Sequence, residues 1–315
     1  MSGFDETAKG LYIISVTPFT DSGELDLAST DRLMDFYLES GVTGVTILGI
    51  LGEAPKLTQA ESVAFSRHVV RRIAGRVPVV VGVSSPGFAA MADLTRAVMD
   101  DGASGVMVAP PSTVRTDDAA VAYYHNVAEA IGDVPFALQD YPLTTQVQLT
   151  PGVIRRIIDT VPSCVMVKHE DWPGLGKLTA LRHAAGMRRV SILVGNNALF
   201  LAEEMRRGAD GAMTGFAFPE MMTGVIAATV AGDLHRAADL FDAYLPLARY
   251  EQQPGPGLAA RKYLLAKRGV IASAAQRRPR VALSEADIAD VEFLLGRQQR
   301  RLRELGATPV ALAAE

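Results

Sequence analysis

Eight short apolar runs recur along the chain with helix-like segments between them, and this alternation limits the fold more than any other feature. The runs are Leu11–Thr17, Val45–Gly49, Val77–Val83, Val106–Ala109, Phe136–Gln139, Val165–Lys168, Ser191–Gly195 and Ala212–Thr214. They show little polar alternation, the pattern of strands covered on both faces in a parallel sheet. The intervening segments carry helix signals. Leu27–Ser40 places Leu33, Phe36 and Tyr37 on one stripe and stops at Gly41. Thr58–Ile73 opens with Thr58 followed three residues later by Glu61, a capping box. Thr150-Pro151 reads as an N-cap followed by a proline in the first helical position, and Asp117–Ala130 and Pro219–Val230 follow the same plan.

Strand–helix units in such a series close into a barrel or open into a doubly wound sheet. The open sheet favours a Gly-x-Gly-x-x-Gly turn after its first strand, whereas here the first run ends Thr17-Pro18-Phe19. The expected architecture is therefore an α/β chain, a (β/α)8 TIM barrel over residues 1–230. A C-terminal helical extension follows over 231–315, with helices at Asp233–Tyr250, Leu258–Lys267 and Glu285–Arg303 and a mobile tail at Gly306–Glu315.

Composition narrows the function classes. A formal net charge of −4 argues against nucleic acid as a partner, and the basic stretch Arg277, Arg278, Arg280 reads as a solvated loop. No apolar run approaches the length of a membrane span, so no membrane partner is expected. The single cysteine, Cys164, cannot build an internal disulfide framework and sits in an apolar run as a buried small hydrophobe. With no signal-peptide pattern, the expected location is cytoplasmic. Neither His-x-x-x-His nor Cys-x-x-Cys occurs, so no metal site is expected.

In barrels of this type the active site lies at the C-terminal strand ends. The polar residues ending the runs include Gln139, Asp140, Tyr141, Lys168, Glu170, Asn196, Asn197 and Thr214. Lys168 stands out. A lysine that ends inside an apolar barrel mouth loses hydration, which favours the neutral, nucleophilic amine required for Schiff-base chemistry; an exposed lysine just past the strand is the plainer reading. Glu170, two residues on, shares its face if the strand continues, and serves either as an acid/base or as a salt-bridge partner of Lys168 or Lys177. His169 should face the helices.

Further motifs, in this order, carry a family resemblance. They are Val16-Thr17-Pro18-Phe19, Gly49-x-x-Gly52-Glu53, Pro142 after strand five, Val167-Lys168, Gly195-Asn196 and Gly208-Ala209-Asp210-Gly211-Ala212. Over about residues 10–300 the chain resembles the dihydrodipicolinate synthase and N-acetylneuraminate lyase family of class I aldolases. The resemblance implies that Lys168 forms the imine with a 2-keto acid, that the amides of Ile50 and Leu51 hold its carboxylate, and that Glu170, Asn196 and Asn197 contact the substrate. It also implies a metal-independent reaction without an organic cofactor, and a homotetramer built as a dimer of dimers.

The departures are informative. The two threonines of the synthase turn are Ile50 and Leu51 here; its strand-five tyrosine falls on Gln139, with Asp140 in the following asparagine position. The tyrosine borrowed from a neighbouring subunit falls near Pro111-Ser112, and the arginine of the loop after strand five near Thr144. Tyr141 replaces the missing tyrosine only if the loop shifts register. The expected function is a class I lyase, an aldolase releasing pyruvate or a dehydratase of a hydroxylated 2-keto acid, rather than the synthase itself. Glu170 is the preferred acid/base, with Tyr141 or Asp140 second, and Gln139 and Thr214 complete the binding set. A keto-acid-binding protein without turnover is the alternative that the missing relay leaves open.

Overall fold

The computed structural model describes residues 3–172 and 174–307. Eight parallel strands close into a barrel in sequence order: β1 Gly10–Ile14, β2 Gly44–Ile47, β3 Val79–Gly82, β4 Gly105–Val108, β5 Phe136–Asp140, β6 Cys164–His169, β7 Ser191–Val194 and β8 Gly211–Ala212. Around it run α1 Leu27–Glu39, α2 Gln59–Ile73, α3 Phe88–Asp100, α4 Asp117–Ile131, the short α5 Pro142–Thr145, α6 Pro151–Thr160, α7 Leu175–Arg182, α8 Leu201–Arg206 and α9 Pro219–Val230. The extension is α10 Leu234–Glu251, α11 Gly257–Lys267 and α12 Glu285–Glu304. The expected mobile tail lies, from residue 308 on, outside the described residues.

The local signals act as read. Thr58 and Glu61 form both halves of the capping box of α2, and Thr150 caps α6 with Pro151 in its first turn. The helices α3, α7 and α8, which carry no comparable N-cap in sequence, begin without a side-chain cap. The Arg277 reading is corrected. Arg277 pairs with Glu61, lies 4.8 Å over the Phe19 ring and donates to the Gly23 carbonyl at 2.8 Å, so only Arg278 and Arg280 of that stretch are exposed.

Strand alternation makes two cores. Leu11, Ile13, Val79, Val81, Leu138, Val167, Ile192 and Val194 face the helices, whereas Tyr12, Ile14, Val80, Met107, Ala137, Met166 and Leu193 fill the barrel. Tyr12 fits only because Gly44 has no side chain: a Cβ there would stand 2.3 Å from its ring. Since successive side chains alternate, Gln139 and Lys168 continue the inward rows of Ala137 and Met166, while Asp140 and His169 continue the outward rows. Gln139 lies opposite Lys168 in register and Asp140 opposite His169.

Candidate active site

At the C-terminal end of the barrel a cavity of about 50 Å³ gathers the residues singled out from the sequence. Lys168, Glu170, Gln139, Tyr141, Ile50, Leu51, Asn196, Asn197 and Thr214 all line it, joined by Ile14 and Gln252. Strand six does continue in effect: the Glu170 amide donates to the Asp140 carbonyl at 2.8 Å, which keeps the two-residue period and turns Glu170 to the face of Lys168. Its carboxylate Oε2 then lies 3.0 Å from Lys168 Nζ and accepts from Gln139 Nε2 at 2.7 Å. Lys168 and Glu170 are 4% and 6% exposed, so this ion pair is shielded from solvent. Lys168 is therefore not among apolar groups alone, as its preceding run suggested; a carboxylate held by an amide sits beside it.

Glu170 packs directly across Gly195. A Cβ at that position would stand 2.2 Å from Glu170 Cγ, so the glycine that follows β7 is what lets the carboxylate reach the lysine. The turn after it holds three successive left-handed residues, Asn196, Asn197 and Ala198, with φ of 50°, 56° and 59°. Asparagine tolerates that region and alanine does not, so the turn is held against a local cost of about 1–2 kcal/mol at Ala198. The turn aims Asn196 Nδ2 at the Glu170 carbonyl, 2.9 Å away, and points the Asn197 side chain the other way.

Two expectations are corrected here. Asp140 does not join the site: on the outward face it lies 2.6 Å from Lys177 Nζ and 3.4 Å from His169 Nδ1. The Asn197 amide does not face substrate: its Nδ2 donates to the Ala248 carbonyl at 2.7 Å, and Arg261 donates to its Oδ1. Asn197 acts through its backbone N–H, which donates to Thr214 Oγ1 at 3.0 Å. Lys177 belongs to Asp140 and Asp171, so of the two salt-bridge partners considered for Glu170 the structure selects Lys168. His169 faces the helices, with Nε2 3.0 Å from the Gly174 carbonyl ahead of α7; burial opposes its charge, but Asp140, the Gly174 carbonyl and Glu204 outweigh burial and raise its pKa.

Tyr141 precedes α5 and reaches the cavity, where Thr144 and Gln252 lie near its hydroxyl. Burial, then the nearby Glu170 charge, raise its pKa, so near neutral pH it is a hydroxyl donor and not a base. Ile50 and Leu51 open a 3-10 turn over Ile50–Gly52, the end of a turn where backbone N–H groups lack an internal partner. Thr17 holds this turn by donating to the Gly52 carbonyl at 2.7 Å.

Of the two lining residues not singled out from the sequence, Ile14 is an apolar residue of β1 and Gln252 comes from the extension, not from a strand end. A signal was available in the adjacent cations Arg261 and Lys262, set among Leu258, Ala259, Ala260, Leu264 and Leu265 of α11. Both are fully buried and reach the strand-end loops. Arg261 bonds Glu251 at 2.7 Å and Asn197; Lys262 donates to the Thr17 carbonyl at 2.8 Å and to Glu53 at 2.6 Å. Burial pulls Lys262 down to about 8. A larger cavity of about 470 Å³, between Tyr263, Ser273 and Leu283, shares no residue with the barrel mouth. Burial pushes the Cys164 thiol up to about 12, which leaves it a packing residue. Among the described residues, no three His, Cys, Asp or Glu side chains cluster as metal ligands, and no helix is long and apolar enough to cross a membrane.

The Dihydrodipicolinate synthetase family matches residues 7–298. The chain is 31% identical over 275 residues to the L-2-keto-3-deoxyarabonate dehydratase of Azospirillum brasilense, covering 86% of this chain and 88% of that relative. It is 32% identical over 299 residues to the 4-hydroxy-tetrahydrodipicolinate synthase of Sorangium cellulosum, covering 93% and 96%. The crystal structure of dihydrodipicolinate synthase from Rhodopseudomonas palustris superposes with a TM-score of 0.92 at 52% identity, over 94% of this chain and 100% of that one. The chain belongs to the dihydrodipicolinate synthetase family.

Proposed function

We propose that this member of a lyase family is a Schiff-base dehydratase of a hydroxylated 2-keto-3-deoxy acid, with Lys168 as the imine-forming residue. The observation that carries the proposal is the buried trio at the barrel mouth: Glu170 lies 3.0 Å from Lys168 Nζ and is held at 2.7 Å by Gln139. Nζ attacks the C2 carbonyl, and Glu170 takes the amine proton and returns it to the departing hydroxyl, so that water leaves and an iminium remains. The amides of Ile50 and Leu51 hold the C1 carboxylate. Glu170, ionised again, takes a C3 proton while the cationic nitrogen accepts the electron pair so released, giving an enamine. Its collapse expels hydroxide from C4, which leaves as water with a proton from Glu170. Hydrolysis of the conjugated iminium frees Lys168.

The likeness to the L-2-keto-3-deoxyarabonate dehydratase supports the dehydration branch. The residues at the mouth support it over synthase chemistry: Ile50, Leu51 and Gln139 carry no hydroxyl with which to relay protons to a second substrate. An aldolase reading shares the imine and differs in which bond breaks. Incubation with 2-keto-3-deoxy pentonates and hexonates, followed by mass analysis, separates the two. Loss of water without pyruvate is expected; release of pyruvate would assign the aldolase reaction, and no turnover of any of these acids would overturn the proposal.

A further inference from the structure

The empty cavity, about 50 Å³, is far smaller than the roughly 300–1,000 Å³ of common small-molecule sites. It accommodates the keto-acid end of a substrate. Anything beyond C3 must extend through the mouth, so the residues there meet the distal part of the molecule.

Most polar groups from the barrel are already committed. The Gln139 amide holds Glu170, Asn196 holds the Glu170 carbonyl, the Asn197 side chain is tied to Ala248 and Arg261, and the Thr214 hydroxyl accepts the Asn197 N–H. Ile50 and Leu51 offer the mouth only apolar side chains. Tyr141 and Gln252 are the remaining polar side chains at the cavity, and they lie near each other and on the same cavity as the buried Asn196 Oδ1, which has no hydrogen-bond partner among the described residues. Groups not committed to the fold can bond an inserted hydroxyl without giving up an existing contact.

Gln252 is also held in place. It follows α10, whose Ala248 carbonyl accepts from Asn197 and whose Glu251 carboxylate accepts from Arg261 at 2.7 Å and from the Ala217 amide at 3.3 Å. The end of the helix is thereby pinned to the loops after β7 and β8.

We infer that Gln252 is a specificity-determining residue that, with Tyr141, binds the distal hydroxyls of the substrate, so that the C-terminal extension helps select which 2-keto acid turns over. Both groups are uncharged near neutral pH, the amide always and the phenol because its pKa is raised. They suit an uncharged polyhydroxylated tail and offer no counter-charge to a tail bearing an ammonium or a second carboxylate.

This rests on the imine reading above, and the test separates the two. Gln252→Ala, with the near-isosteric Gln252→Glu as a second variant that also removes the amide donor, is compared with the unsubstituted protein. The measurements are kcat and KM for a 2-keto-3-deoxy sugar acid, and the pyruvate concentration that half-saturates borohydride trapping. One lost neutral hydrogen bond is worth about three- to tenfold in binding. The expected result is a KM for the sugar acid raised by that factor in both variants, with a much smaller change for pyruvate, which has no distal hydroxyl. An unchanged KM for the sugar acid, or equal changes for both ligands, would overturn the assignment. Failure of the unsubstituted protein to trap pyruvate would instead overturn the imine reading beneath it.

Discussion

Replacing Glu170 with glutamine isolates the carboxylate's chemistry from its shape. In the folded protein Oε2 lies 3.0 Å from Lys168 Nζ and 2.7 Å from Gln139 Nε2. At an effective dielectric constant of about 20, a pair at that distance attracts by about 5–6 kcal/mol before desolvation is counted. Breaking a buried pair costs a net of about 3–5 kcal/mol. Glutamine should sit at the low end, because its carbonyl oxygen still accepts from Gln139. That same oxygen, in the place of Oε2, still faces Nζ, and a neutral acceptor holds the ammonium less strongly than a carboxylate does, so attack on a keto acid remains possible. What disappears is the group that carries protons on and off the reacting centre, worth about 10²–10⁴-fold. Glu170→Gln should therefore lower kcat for the sugar acid by about that factor, while borohydride still attaches pyruvate to Lys168. Thermal melting of the variant separates unfolding from lost chemistry. Undiminished turnover, or loss of trapping in a well-folded variant, would refute the reasoning.

Behind the active site, burial pushes the Glu204 carboxyl from an ordinary 4.5 up to about 7. A raised folded-state pKa gives stability that is fully present below pH 4.5 and is lost as pH rises through about 7. Glu204→Gln should thus stabilise the protein by about 3 kcal/mol at pH 8 and by little at pH 4.5, read by chemical denaturation at both values; equal effects would contradict it. Condensation of pyruvate with aspartate semialdehyde should be barely detectable in a coupled assay, since Ile50, Leu51, Gln139 and Ser112 supply no equivalent hydroxyl chain. Robust synthase activity would point to Tyr141 as a working replacement. We expect a homotetramer, with a dimer as the smaller alternative, in analytical ultracentrifugation at micromolar concentration; a monomeric mass would refute this.

The barrel was legible because the strand runs are mostly apolar and several helix starts carry a local cap, as at Thr58 and Thr150. The inward direction of Lys168 and Glu170 followed from a period of two, which the Glu170–Asp140 backbone bond extends past the end of β6. The same period, applied to β5, turns Asp140 outward once Gln139 faces in; treating the strand-end residues as one group hid that consequence. The orientation of Asn197 was beyond sequence reading. It depends on three left-handed residues in a row and on Arg261, 64 positions away. Gln252 was missed because its place is set by contacts between the extension and the barrel, which the strand-end pattern does not encode and which only the adjacent cations Arg261 and Lys262 mark in the sequence. Arg277 looked solvated because its partners Glu61 and Phe19 are distant in sequence.

The central claim is that Lys168 forms an imine with a 2-keto acid, and intact-mass spectrometry after borohydride reduction in the presence of pyruvate tests it most directly. The expected result is one reduced pyruvyl adduct per chain, located at Lys168 by peptide mapping and absent from Lys168→Ala. An adduct on a different lysine, one that persists in Lys168→Ala, or none with any 2-keto acid, would contradict the account.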